Sequence, residues 1–489
     1  MAFDLASATR AALQEGGETD AVAAGGRWRS WGWIARTAGA IDAALGGVAE
    51  VGLIARNRPA HVAAFAANVM AGRTTVMIYS ALSPSALAAE LRQLRLPAVL
   101  ADRDDWTETL LEAAADSGTA AIAIGDGTHA GVVEVLRPGG PGPHRARSGS
   151  AAFELLSSGT TGPPKRVPLS WAAISQAVEG ASATYAGIGA GAAVPPQILV
   201  HPLGNVAGVA YVAPPSAYGQ RLVLLEKFSA LVWAEAVRDY RPARGTVPPA
   251  GIRMLLDADI PPAWLNSLTL LAVGGGKLPI ELQQAFEARF NIPILTAFGA
   301  TEFGGVIANW NLDLYRAWGK AKRGSAGRAS PGVALRIVDP ESHEVLQAGS
   351  VGLLEAQVPR IGPDFIRTTD LASLDADGFL FLHGRADGAI NRGGFKVLPD
   401  IVAEALRAHP DVADAAVVGR ADARLGEVPV AAVELVPGAS AGAAALLGWL
   451  KDRLVAYQVP TEIRIMPALP RNASMKVALH EVKALFACG

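Results

Sequence analysis

The stretch Ser157-Ser-Gly-Thr-Thr-Gly-Pro-Pro-Lys165 packs hydroxyls, glycines and an ammonium into one short loop directly after the mostly apolar run Phe153–Leu156. Such a set suits an anion: glycines let backbone N–H groups approach a phosphate, hydroxyls donate to its oxygens, and a lysine neutralises charge. Walker A spacing is excluded, because Gly159 and Gly162 stand too close together and Pro163-Pro164 precede the lysine. An ordinary turn has the same composition, so the loop alone leaves both alternatives open.

A second group, Thr296-Ala-Phe-Gly-Ala-Thr-Glu302, follows the strand-like Ile292–Leu295. Gly299 makes the turn at the C-terminal end of a strand, where α/β sheets bind ligands. Phe298 there can stack on a purine, Thr301 adds a hydroxyl, and Glu302 is an oxygen donor of the kind Mg²⁺ takes. A strand end with a helix cap is the plain alternative. Val273-Gly-Gly-Gly-Lys-Leu-Pro279 is another strand end, where Gly274, Gly275 and Gly276 let a flat ligand lie against backbone or simply form a loop.

Three further pieces lie downstream. Arg367-Thr-Thr-Asp370 offers a carboxylate suited to a pair of ribose hydroxyls, or a turn aspartate. The glycine-rich run 384–396 carries Arg385, Asp387, Gly393, Gly394, Phe395 and Lys396, and 469–476 presents Lys476 on a polar loop. Lysine is the scarce cation of this chain, with 9 lysines among 43 basic residues, and four of them fall in these segments: Lys165, Lys277, Lys396 and Lys476. A compact ammonium at a phosphoryl centre is chemically distinct from a planar guanidinium.

The elements that must position these groups show two periodicities. Trp31–Leu45 has helical spacing, Val51–Ala55 is a buried-strand run, and a helix (61–71), a strand (74–79), a helix (83–94) and a strand (98–101) follow. This alternation predicts a mostly parallel sheet covered by helices. Gly139–Ser150 reads as a linker between subdomains. Past Gly324 the runs 332–339, 352–359 and 371–383 predict an antiparallel sheet or small barrel. Beyond them, a helix near 400–408, strands 415–419 and 428–436 and a helix near 443–456 make a compact α+β unit. The fold class is α/β: a large N-terminal domain of layered βαβ subdomains with a small β-rich part, then a small α+β domain.

Composition narrows the function classes. Of the 489 residues 51% are hydrophobic and 18% charged, with a net charge of −2, so no basic stripe is available for a nucleic-acid backbone or an anionic membrane. The single cysteine, Cys488, excludes a disulfide framework or a cysteine metal site. No apolar run is long enough to span a bilayer, and the first residues lack a secretory pattern, so a cytoplasmic protein is expected.

In their order and spacing these motifs resemble the superfamily of ATP-dependent adenylate-forming enzymes: acyl-CoA and aryl-CoA synthetases, luciferases and the adenylation domains of peptide synthetases. The resemblance runs from Asn57-Arg-Pro to Lys476. It implies an AMP-binding domain over 1–386 and a mobile domain over 387–489, hinged at Asp387. It also implies two half-reactions. A carboxylate attacks the α-phosphorus of ATP to give acyl-AMP and pyrophosphate, and a thiol then displaces AMP after the C-terminal domain rotates. On that basis Ser157, Ser158, Gly159, Thr160, Thr161, Gly162 and Lys165 hold the β- and γ-phosphates, and Gly275, Gly276, Lys277, Phe298 and Gly299 line the adenine. Thr301 meets the α-phosphate, Glu302 the Mg²⁺, and Asp370 and Arg385 the ribose. Lys476 matches the adenylation lysine, while Gly393, Gly394 and Phe395 meet the pantetheine arm of coenzyme A.

The chain also departs from the family pattern. Arg166 and Met475 stand where glycines are common, and both are expected to be tolerated. Gly204-Asn205 replace an aromatic-His pair, which suggests a roomier entrance to the acyl pocket. His201 reads as structural. Ile401 and Ala403 replace two glutamates, with Glu404 one residue on. No acidic residue occurs within 196–209 to hold an α-ammonium, so a simple carboxylic acid is favoured over an amino acid. An acyl pocket of small or apolar residues, Asn205, Val206, Val209, Gly274, Ala297 and Gly304, suits an aromatic, alicyclic or medium-chain acid. No carrier domain is expected after Lys476, which makes coenzyme A the expected acceptor and a separate carrier protein the alternative. A nucleotide-binding relative without ligase activity and a luciferase-like oxygenase are the other classes. The resemblance fits a monomer or homodimer equally.

Overall fold

The computed structural model describes residues 3–147, 149–156, 165–182, 189, 194–386, 388–392, 395–422, 424–472 and 475–487. Ser157–Gly162, Asp387, Gly393 and Gly394 lie outside the described residues, as does the side chain of Lys396.

Among the described residues the first large sheet has seven strands, in the spatial order 132–137, 120–125, 98–102, 50–55, 74–79, 151–156 and 166–170. Its five inner strands are parallel and its two edges antiparallel. The strand Glu50–Ala55 is buried along its whole length, as an inner parallel strand covered on both faces must be. Its side chains divide between the faces with the period of two. Leu53 joins the core of Trp33, Ile34 and Phe65, and Ile54 joins Leu87, Leu91 and Leu110 on the other side. The covering helices begin where the sequence provides caps. Ser30 Oγ accepts from Trp33 N at 3.0 Å to start Trp31–Leu45, and Pro59 opens Pro59–Met70.

Gly139–Ser150 does not link subdomains. The strands on either side of it, Val132–Arg137 and Ala151–Leu156, belong to the same sheet, and Arg145 within it ties that sheet together. Its guanidinium donates to Glu50 at 2.9 Å and to Glu154 at 2.8 Å, both buried carboxylates. Arg166 serves the same sheet: it donates to Glu90 and, at 3.2 Å, to Met77 O. The arginine that stands in place of a glycine is therefore a staple between an edge strand and the helix Pro84–Leu94.

The second part of the N-terminal domain holds a five-stranded sheet ordered 244–247, 270–274, 294–300, 305–309 and 328–329. A four-stranded sheet ordered 197–199, 222–224, 20–24 and 27–30 lies beside it. Helix Leu5–Gly16, whose buried residues Leu5, Thr9, Ala12, Leu13 and Gly16 fall on one face, and strands 20–24 and 27–30 were not among the elements expected from the sequence. Residues 334–385 form an antiparallel four-stranded sheet and no barrel. Its last two strands, Phe365–Leu374 and Leu380–Arg385, are joined by a turn in which Asp375 Oδ1 accepts from Asp377 N and Phe379 N.

The C-terminal domain is a mixed sheet of strands 395–397, 390–392, 426–435, 412–422 and 462–466, packed with helices Pro399–Arg407, Ala443–Lys451 and Leu479–Leu485. Helix 443–451 stops earlier than its Ala-rich sequence predicts. Every hydrophobic cluster among the described residues lies either at or before Leu382 or at or after Ile390. The two domains therefore meet through polar and backbone contacts. No helix among the described residues is long and apolar enough to cross a membrane.

Arg145 neutralises two buried carboxylates at once. Arg145→Met takes the shared guanidinium away from both carboxylates and should lower stability by about 3 kcal/mol, read as a loss of several degrees in melting temperature that is confined to the N-terminal domain.

Candidate functional site

The C-terminal ends of strands Leu270–Gly274 and Ile294–Ala300 open side by side, Gly274 opposite Ala297 in parallel register. Gly275 follows with φ +84, a conformation that favours glycine, and Gly275 and Gly276 are exposed on the crevice. A Cβ at Gly275 would stand 3.7 Å from Lys476 Cε, and one at Gly276 would stand 3.5 Å from Pro249 Cγ. The positive φ calls for glycine at 275, and the Lys476 side chain from the other domain lies directly beside it.

Asp370 and Arg385 face each other as partners on neighbouring antiparallel strands. Lys476 lies within electrostatic reach of both. Burial lowers its pKa below the usual lysine range, Arg385 lowers it further, and Asp370 acts in the opposite direction. The structure thus gathers four of the predicted residues, Gly275 after one strand end, Asp370 and Arg385 on a second sheet, and Lys476 on a loop of the C-terminal domain.

The loop that carries Lys476 is built for position. Asn472 N donates to Lys476 O at 2.8 Å, and Lys476 N donates back to Asn472 Oδ1 at 3.1 Å. Arg471 donates to Met475 O at 3.3 Å and to Asp414 Oδ2 at 2.6 Å, anchoring the loop to strand Val412–Asp422. Met475 holds φ +60. That left-handed conformation explains why glycine is the family's usual residue there, and a methionine adopts it at a cost. Sequence reasoning missed Arg471 and Asn472, although an asparagine four residues before the lysine was the available signal.

Strand 294–300 ends in a short 3₁₀ turn, Thr301–Phe303. Thr301 is buried and Glu302 exposed. A Cβ at Gly299 would lie 2.2 Å from Gly305 O, so the hairpin with strand Gly305–Asn309 admits only glycine. Phe298 is half-buried and leans on the core that includes Ile307 and Leu354. Lys165 is exposed just before strand Arg166–Ser170. Phe395 is exposed and stacks on Tyr457 with ring centroids 4.9 Å apart.

Several predicted residues stand elsewhere than expected. Lys277 Nζ donates to Glu404 Oε2 at 2.7 Å, so its ammonium reaches across to helix Pro399–Arg407 and not toward an adenine. Asn205 is the N-cap of helix Val206–Tyr218, its Oδ1 accepting from Gly208 N at 2.7 Å. Val209 is 2% exposed and lies in the core with Val212 and Ala213, with Val206 packed against it. The helical period turns these valines to the core and away from the crevice. Gly304 has φ +63, and a Cβ there would meet Ile361 Cδ1 at 3.4 Å and Arg360 Nε at 3.6 Å, a close-packed turn. Gly204 itself is buried, with Ala55 Cβ 3.4 Å from where a Cβ would stand.

The matches to known proteins fit this geometry. The family model described as AMP-binding enzyme matches residues 10–360, and the one described as AMP-binding enzyme C-terminal domain matches 402–476. The chain belongs to the AMP-binding enzyme family. Indoleacetate–CoA ligase of Aromatoleum aromaticum is 31% identical over 352 residues, 68% of this chain and 66% of the relative. This chain spans about two thirds of the length of such curated relatives. ATP-bound MatB from Rhodopseudomonas palustris superposes with a TM-score of 0.83 at 20% identity, over 100% of this chain and 99% of the other. Apo MatB from the same organism reaches 0.69 at 21% identity, over 100% and 99%. The amide bond synthetase McbA from Marinactinospora thermotolerans gives 0.80 at 23% identity, over 99% and 100%.

Met475→Ile, β-branched at a positive φ, should be about 1 kcal/mol less stable than Met475→Gly. Thermal melting of the two variants checks this; the reverse order would contradict the strained placement of the Lys476 loop.

Proposed function

We propose that this protein is an ATP-dependent acid–thiol ligase that makes an acyl-adenylate and passes the acyl group to coenzyme A. The observation that carries this reading is the convergence of Asp370, Arg385 and Lys476 beside the open glycine strand end at Gly275. The relatives named as CoA ligases support the choice of acceptor.

In the first half-reaction an oxygen of the acid's carboxylate bonds to the α-phosphorus of ATP, the bond from that phosphorus to the β-bridging oxygen breaks, and pyrophosphate leaves. Lys476 presents its ammonium where the carboxylate and α-phosphate meet, and negative charge that develops there is stabilised without rearrangement. Asp370 and Arg385 orient the ribose, while Gly275, Gly276, Phe298 and Gly299 flank the adenine. Ser157–Gly162 and Lys165 cradle the outer phosphates, and the Thr301 hydroxyl meets the α-phosphate. Glu302 is a single exposed carboxylate, and no group of three or more metal-ligating side chains occurs among the described residues. That donor set fits Mg²⁺ held mostly by the substrate's phosphates, where the ion would neutralise phosphate charge.

In the second half-reaction the thiol gives up its proton to solvent as its sulfur bonds to the acyl carbon, the carbon–oxygen bond to AMP breaks, and AMP leaves. The C-terminal domain, 387–489, turns about Asp387 to bring Gly393, Gly394 and Phe395 to the pantetheine arm. The lack, among the described residues, of a hydrophobic cluster across the seam supports such a turn.

The test is pyrophosphate release on a panel of carboxylic acids, with and without coenzyme A. Acid-dependent pyrophosphate followed by an acyl-CoA thioester is expected. Pyrophosphate without thioester would move the acceptor to a carrier protein or an amine, and no pyrophosphate from any acid would leave a nucleotide-binding protein without ligase activity.

Lys476→Ala should slow adenylation by roughly 10²–10³ and leave thioester formation from supplied acyl-AMP largely intact; equal damage to both steps would remove Lys476 from its assigned role. The pH dependence has a definite sign. Lys476 must be protonated to act, and its pKa is lowered, so adenylation should fall with rising pH earlier than an ordinary lysine allows. Arg385→Gln takes away a neighbouring positive charge and should move that alkaline limb to higher pH, whereas Asp370→Asn should move it lower.

A further inference from the structure

Helix Pro399–Arg407 of the C-terminal domain turns Val402, Ala403 and Leu406 to its own core and leaves Asp400 and Glu404, one helical turn apart, on another face. That acidic face meets the N-terminal domain. Glu404 Oε2 accepts from Lys277 Nζ at 2.7 Å, and both Lys277 and Arg385 are within electrostatic reach of Asp400. His383, whose Nε2 lies 2.8 Å from Ser373 Oγ, is within reach of the same ion pair. Two carboxylates of one domain thus stand against two cations of the other.

The helix also approaches strand Leu380–Arg385 closely. Gly384 has φ +121, and a Cβ there would stand 2.8 Å from Asp400 Oδ2 and 3.3 Å from Asp400 Cβ. A side chain at 384 would push the helix away. Another contact lies at a different part of the C-terminal domain, where Lys476 Cε stands 3.7 Å from the position of a Cβ on Gly275. That contact alone would leave the domain free to swivel about it, whereas further contacts along helix Pro399–Arg407 fix how the domain sits. Lys277 leaves from the same glycine turn that Lys476 meets, two residues past Gly275, so its bond to Glu404 ties the crevice turn itself to the arriving domain.

We infer that Lys277 and Glu404 are positioning residues for adenylation: their ion pair, with Asp400 packed on Gly384, holds the C-terminal domain in the orientation in which Lys476 enters the crevice, and it breaks for the second half-reaction. This rests on the ligase reading above. The weakness of the pair suits the role. Both side chains are exposed, so the pair supplies a modest bias and can be released at every turnover, whereas a fully buried pair would be costly to break.

The experiment measures the two half-reactions separately, with the full chain, ATP, magnesium chloride and the acid of the panel above that releases pyrophosphate fastest. The first reading is single-turnover pyrophosphate release without coenzyme A, and the second is thioester formation from supplied acyl-AMP of that acid with coenzyme A. Glu404→Gln should slow the first step by about two- to fivefold and leave the second as fast or faster. Glu404→Lys should slow the first step further, and adding Lys277→Glu to it should return the rate to within about twofold of wild type. The ratio of wild-type to Glu404→Gln adenylation rates should approach one as sodium chloride is raised, because an exposed pair is screened. Melting temperatures check that each variant folds. Equal slowing of both steps, an adenylation rate unchanged in Glu404→Gln, a ratio insensitive to salt, or no recovery in the reversed pair would overturn this inference while leaving the ligase reading intact. Absence of pyrophosphate from every acid would overturn both.

Discussion

The structure depends on placing a second cation next to one already present. Lys476 approaches Arg385, and desolvation and like-charge repulsion both oppose it. Asp370, across the strand pair from Arg385, is the compensating charge. The rest of the arrangement accommodates this conflict. Arg471 and Asn472 fasten the loop from behind, with the Lys476 side chain lying beside Gly275. Met475 accepts a left-handed backbone to aim it. An ATP carrying several negative charges would turn the same pair of cations from a cost into an attraction.

The domain carrying the lysine is itself held weakly against its neighbour. The seam has the Lys277–Glu404 pair, in which both side chains are exposed, and an ion pair of that kind contributes about 0–1 kcal/mol. No hydrophobic cluster crosses it among the described residues. A seam of this composition can be released when the charges that favour it leave with the product, which a large apolar interface would resist.

Much of the fold was legible because its signals are local. The helix Trp31–Leu45 and the strand–helix alternation through Asp102 follow from periodicity and caps, and the crevice-forming glycines follow from strand ends. What was not legible was non-local. Gly139–Ser150 has a linker's composition, but Arg145 meets Glu50 some ninety-five positions away, and no local pattern announces that pair. Strands 20–24 and 27–30 become strands by pairing with 222–224 and with each other. Val209 was misplaced for a related reason: a residue list along helix Val206–Tyr218 ignored which face the helix turns inward, and Val209 went to the core.

The lysine argument is narrowed by the same contacts. Lys322, outside every motif, bonds Asp375 and Asp377 in a turn, and Lys277, inside one, serves the domain seam. Scarcity alone therefore does not mark chemistry. What sets Lys476 apart is its environment: half-buried, next to an arginine, with its loop anchored from the far side. Arginine fills the structural roles that need two or more donors in fixed geometry, as Arg145, Arg360 and Arg471 do. A single ammonium is kept for the place where one flexible point charge must enter a crevice from another domain.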